Sequence, residues 1–166
     1  MKNPKELVAQ AKNRAQKFYK SNEIVREVFI TLENFERREI AEWTGDELSR
    51  FITKLATLSV NLGLLVAEKT LMSNASYIYQ KWKRAYEYKR IRRTVEKISQ
   101  KDADDQAMMD TVMEITQEAE NRYIADVIKT LHEDISRLVM AIQSRIKVLE
   151  GEKIASSMAE DSPERS

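Results

Sequence analysis

The chain has 166 residues, 42% hydrophobic and 33% charged, with a formal net charge of +1. One domain with a core is affordable at that size, but a globally basic nucleic-acid binder is excluded, so any such site must be local. The chain has no cysteine, which excludes disulfides and thiolate metal sites and is compatible with a reducing cytoplasm, the expected compartment.

Three Gly and two Pro in the whole chain predict long helices and few breaks. The start, Met1 to Glu6, lacks the apolar run of a signal peptide. Asn3-Pro4-Lys5-Glu6 reads as a helix start, with Asn3 as cap and Pro4 in the first position. Leu7, Ala11, Ala15 and Phe18 form its apolar stripe. Ser21-Asn22 reads as a break. A second helix follows, with Val25, Phe29, Leu32 and Phe35 on one face and Ile40 and Trp43 near its end. Thr44-Gly45-Asp46-Glu47 is the clearest punctuation, a capping box of Thr44 with Glu47.

From Asp46 to Ser99 only Gly63 interrupts. Leu48, Ile52, Leu55, Leu58, Leu62 and Leu65 step by three or four, and the stripe is read on through Leu71, Ala75, Ile78, Trp82, Ala85, Tyr88, Ile91, Val95 and Ile98. The most apolar stretch, Leu58 to Ala67, contains Asn61 and is too short to span a bilayer, so no membrane role is expected. Gln100 to Asp105 is the expected turn. A last helix carries Met108, Val112, Ile115, Ala119, Tyr123, Val127, Leu131, Ile135, Leu138, Ile142, Ile146 and Leu149. Gly151 is the expected C-cap, with a disordered polar tail over 152–166.

The fold this predicts is all-α: a long antiparallel, coiled-coil-like hairpin over 44–151, with two shorter N-terminal helices over 1–43 covering its open end. A turn near 101 and 102 sets Leu62 opposite Ile142 and Trp82 opposite Asn121. Ile91, Val95 and Ile98 are then poorly covered, which predicts homo-oligomerisation.

Residues 77–101 hold the most pointed chemistry. Nine cations face two anions, a balance of +7, interleaved with Tyr77, Tyr79, Trp82, Tyr86 and Tyr88. Cations that neutralise phosphates and aromatic faces that stack on unpaired bases are what a single-strand nucleic-acid binder needs. Trp82 and Tyr88 lie on the seam and are expected in the core. Tyr79, Lys83, Tyr86, Arg90, Arg93 and Lys97 form another face, suited either to base stacking or to a subunit contact. The competing account is neutralisation. Residues 102–126 hold eight anions and one cation, a balance of −7, and in a hairpin they lie beside the basic arm as an ion-pair ladder.

No catalytic constellation is legible. His132 is the sole histidine, there is no Glu-x-x-His pair, and Gly63 has no Gly-rich loop around it. No catalytic residue, metal or cofactor is expected.

Residues 46–152 resemble the phage recombination-mediator proteins of the UvsY type. The resemblance lies in an order of features: a Leu/Ala-rich helix (Leu62-Gly-Leu-Leu-Val-Ala-Glu), the cluster Tyr79-Gln80-Lys81-Trp82, the run Lys83 to Arg93, an acidic connection, and a final helix ending Ile142-Gln-Ser-Arg-Ile-Lys-Val-Leu-Glu150. It implies a non-catalytic, ring-like homo-oligomer in the cytoplasm of a phage-infected cell. Single-stranded DNA is the implied ligand, and a strand-exchange recombinase and a single-strand-binding protein are the implied partners. Carried over by position, the implied DNA contacts are Tyr79, Lys81, Lys83, Arg84, Lys89, Arg90, Arg92 and Arg93; the residue pattern adds Tyr86. The alternative reading is a helical-hairpin scaffold, interaction protein or inhibitor.

Overall fold

The computed structural model describes residues 4–38, 42–95 and 97–160, and the side chains of 5–38, 42–95 and 97–155. The expectations for Asn3, Ile40 and 161–166 lie outside these residues. Among the described residues there is no strand. The helices are α1 (Pro4–Gln16), α2 (Glu23–Glu36), α3 (Gly45–Thr94), α4 (Gln100–Met109) and α5 (Val112–Glu160). The long helices α3 and α5 pack together as the expected hairpin. The chain divides into two compact units, Met1–Gly63 with Lys129–Ser166, and Leu64–Ile128.

In the first unit the expected stripes are buried. Leu7, Ala11 and Ala15 of α1 and Val25, Leu32 and Phe35 of α2 pack with Leu48, Leu55, Leu58 and Leu62 of α3 and Leu131, Ile135, Leu138 and Ile142 of α5. Asn22 caps α2, its side chain accepting from the Val25 N–H at 3.1 Å. The capping box of α3 is also present. The Glu47 N–H donates to the Thr44 hydroxyl at 3.2 Å, and the Thr44 N–H donates to the Glu47 carboxylate at 2.9 Å. Phe51 stacks on Phe35 with ring centroids 4.4 Å apart, and Trp43 closes the cluster at 5.0 Å from Phe35. Arg14 of α1 pairs with the buried Asp134 of α5.

The second unit departs from expectation in two ways. First, the chain reverses over 95–99, before the expected turn. Lys97 takes φ 65°, the left-handed region, without a glycine to mark it. Ser99 then caps α4, accepting from the Asp102 N–H at 3.0 Å. Gln100 to Asp105 is therefore helix, with its acidic residues in the favoured first turn. The earlier reversal shifts the register, so that Asn121 donates to the Ser76 hydroxyl at 2.6 Å rather than facing Trp82.

Second, the apolar stripe does not continue inward past Leu65. Leu65 to Leu71 is six residues, about 600° of rotation, roughly 120° short of two full turns. Leu71, Ile78 and Trp82 are 70%, 67% and 59% exposed, so Trp82 is not core. On α5, Val112 and Tyr123 are exposed as well. Half-buried Ser73, Ser76 and Gln80 and buried Glu87 occupy the inner side of α3 instead. The apolar core at the reversal is Ile91 with Ala103 and Ala107, backed by Tyr88 and Ile98.

Two further expectations are corrected. α5 continues through Gly151 to Glu160, so Gly151 is not a C-cap and 152–160 are helical. The apolar part of α3 is also longer than read. An 18-residue window with at most two charges makes α3 long and apolar enough to cross a membrane by length and composition, and only 28% of that window is buried. A core helix of a soluble protein passes the same test.

Candidate nucleic-acid interface

The basic segment occupies the C-terminal part of α3, and its cations sort into distinct surroundings. Lys81, Arg84 and Tyr88 follow at spacings of three and four, so they share one side of the helix. Lys101 and Asp104 share a side of α4 in the same way. Ala103 and Ala107, both fully buried, let α4 approach α3 closely against Ile91. The result is an open cleft of about 890 Å³, with Ala85 leaving room between the longer side chains. Lys81, Arg84, Lys89 and Lys101 line it, with Tyr88, Gln80 and Gln100. Asp104 is its one carboxylate.

The four cations are not equally engaged. Arg84 Nη2 lies 2.7 Å from Asp104. Lys81 Nζ sits over the Tyr77 ring, 4.5 Å from its centroid. Lys89 and Lys101 have no ion pair among the described residues. A cleft lined by one sign of charge focuses its field and attracts anions. Its volume lies at the upper end of the roughly 300–1,000 Å³ of ligand pockets.

The other expected site residues lie elsewhere. Lys83 pairs with Glu114 at 3.6 Å. Arg90 pairs with Glu87 at 2.6 Å and with Asp110 at 3.3 Å. Arg92 donates to the Ile98 carbonyl at 2.7 Å and so closes the reversal. The acidic arm therefore engages Lys83, Arg84 and Arg90, as the neutralisation account expects. Arg93 is exposed, on the side of α3 that carries Tyr79 and Tyr86. These two tyrosines flank Trp82 in an exposed stacked ladder, with centroids 6.1 and 5.8 Å from the indole.

The nine expected residues thus do not form one surface. Lys81, Arg84 and Lys89 meet in the cleft, while Tyr79, Tyr86 and Arg93 belong to the ladder side. Sequence reasoning assigns Tyr88, Gln100 and Lys101 to no site. Gln100 and Lys101 come from α4, which the sequence alone reads as a turn. The signal that could have found them is the Ser99 cap three residues before Asp102, a helix start.

No family model matches the chain, and no curated protein or solved structure is significantly similar to it. The resemblance to UvsY-type proteins stands on the quoted residues alone.

Proposed function

We propose that this chain binds single-stranded nucleic acid in the α3–α4 cleft, without catalysing a reaction. The observation that carries this reading is the convergence of Lys81, Arg84, Lys89 and Lys101 on one open cleft with a single carboxylate. Cations at such a density attract a backbone with a charge at every nucleotide. Tyr88 in the wall and exposed Tyr77 beside Lys81 offer ring faces to bases, which only an unpaired strand can present. Lys83 and Arg90 serve the ion pairs with Glu114 and Asp110 and are left out of the site.

The order of features shared with UvsY-type proteins supports a wider role. In it the chain holds a strand, and a strand-exchange recombinase takes the strand over from a single-strand-binding protein. That part of the reading is tested by whether the protein speeds displacement of a single-strand-binding protein.

Binding itself is tested by fluorescence anisotropy with labelled single-stranded and duplex oligonucleotides at low salt. The single strand should bind more tightly, and Lys89→Ala with Lys101→Ala should weaken it. Wild-type protein that shifts no oligonucleotide would end the reading. The exposed apolar side of α3 favours a second kind of surface, for protein contact.

A further inference from the structure

Leu64, Leu71, Ile78 and Ala85 recur every seven residues along α3, and all face solvent. Ala75 and Trp82 follow Leu71 and Ile78 by four, which places them beside the same row. Recurrence of apolar side chains at seven is the pattern by which one helix packs along another. Here nothing within the unit packs on it. The inward side of α3 is the opposite one, carrying Ser76, Gln80 and Glu87.

We propose that a second copy of this chain seats on this row. The two α3 helices run antiparallel about a two-fold axis, with Leu64 of one copy against Trp82 of the other. The inference goes beyond the nucleic-acid reading and does not depend on it.

Charge favours a second copy over a charged partner. Between 64 and 82 the charged residues of α3 are Glu68, Lys69 and Lys81. Glu68 and Lys69 pair with each other at 2.8 Å, and Lys81 is held over Tyr77. The row therefore presents no charge pattern for a basic or acidic protein to match. A copy of itself is neutral along the same length and matches it.

Charge also sets the direction. A parallel pair would lay each copy's Lys83 to Arg93 run on its twin, at a cost in like-charge repulsion. The antiparallel pair stops at Trp82 and leaves both runs outside the paired stretch. Leu71 then meets Ala75 of the other copy, a large side chain against a small one.

Area is sufficient. Leu64, Leu71, Met72, Ile78, Tyr79 and Trp82 are each about half exposed or more. At on the order of 100 Å² each they offer about 600 Å² per copy, the lower bound of a stable interface.

The test uses the full chain, which has no cysteine, so each engineered cysteine is a unique label site. Sedimentation equilibrium in the micromolar range should give twice the monomer mass. Leu71→Glu with Ile78→Glu should give the monomer mass with unchanged helical circular dichroism, since both side chains are exposed in the monomer. Spin labels at Ala75→Cys should lie close across the pair, offset by about 6 Å along the axis, and labels at Ala85→Cys by about 36 Å. Short distances at both positions would mean a parallel pair and overturn the proposal. A monomeric wild type overturns it too, as does a dimer indifferent to the two glutamates. Monomeric protein that co-floats with neutral lipid vesicles would overturn it as well and assign the row to a bilayer.

Discussion

Arg84 Nη2 lies 2.7 Å from the carboxylate of Asp104, across the cleft between α3 and α4. Both side chains are partly exposed, so the bridge contributes only about 0–1 kcal/mol to stability. Its larger effect is on the charge of the cleft, because Asp104 is the one anion among four cations. Asp104→Asn should leave the melting temperature nearly unchanged and tighten oligonucleotide binding. One charge about 6 Å from a phosphate in a water-like dielectric is worth ~0.7 kcal/mol, or about threefold in affinity. Weaker binding by the variant, in an anisotropy titration at low salt, would show that the carboxylate positions Arg84 rather than opposing the ligand.

The Arg14–Asp134 pair predicts an asymmetry. Asp134 is 1% exposed, whereas Arg14 reaches solvent. Arg14→Met strands a buried carboxylate and should cost about 3 kcal/mol, near the lower end for a broken buried pair. Arg137, 3.8 Å from the other Asp134 oxygen, keeps the loss from being larger. Asp134→Asn leaves an arginine that can turn to water and should cost less. Urea denaturation of both variants ranks them, and the reverse order would contradict this account.

Glu47 sets a pH dependence at the start of α3. The Arg38 guanidinium, then the Thr44 N–H and hydroxyl, hold its carboxyl down at about 2. The folded value lies below the unfolded one of roughly 4.3, so the contribution is complete above that pH and fades as pH falls toward 2. Wild type should therefore lose more stability than Glu47→Gln between pH 5 and about 2. Parallel melting curves across that window would remove Glu47 as the cause.

Gly63 lies mid-helix in α3, where a Cβ would meet His132 Nε2 at 3.6 Å, an ordinary contact. Its φ is not positive. Nothing local then requires glycine, and Gly63→Ala should raise stability by about 0.5–1 kcal/mol. A lower melting temperature for the variant would mean that α5 needs closer approach than the alanine allows.

How far the sequence could be read follows from where its signals are local. The capping box at Thr44 and Glu47, the Asn22 cap and the Leu48–Leu62 seam depend on residues a few positions apart, and all are legible. The reversal at 95–99 is not, because Lys97 supplies the left-handed turn without glycine or proline. That early reversal makes α4 look like a connection and displaces the register, as the Asn121–Ser76 hydrogen bond shows. The inward side of α3 is misjudged beyond Leu65 because a six-residue step looks like a continuing stripe when rotation is not followed. The same errors divide the candidate site. Lys81, Arg84 and Lys89 are found from charge alone. Lys101 and Tyr88 need the packing of α4 to bring them to the same cleft, and the seam assigns Trp82 to a core it does not join.

The central claim is that the cleft cations, and not the ion-paired ones, hold the strand. The slope of log affinity against log salt for a single-stranded oligonucleotide tests it most directly, comparing wild type with Lys81→Ala/Lys101→Ala and with Lys83→Ala/Arg90→Ala. Each cation removed from a phosphate of a single strand should make the slope shallower by roughly 0.7, so the cleft pair should flatten it by about 1.4 while the ion-paired variant keeps the wild-type slope. Equal slopes for wild type and the cleft variant, or flattening only in the Lys83/Arg90 variant, would contradict the account.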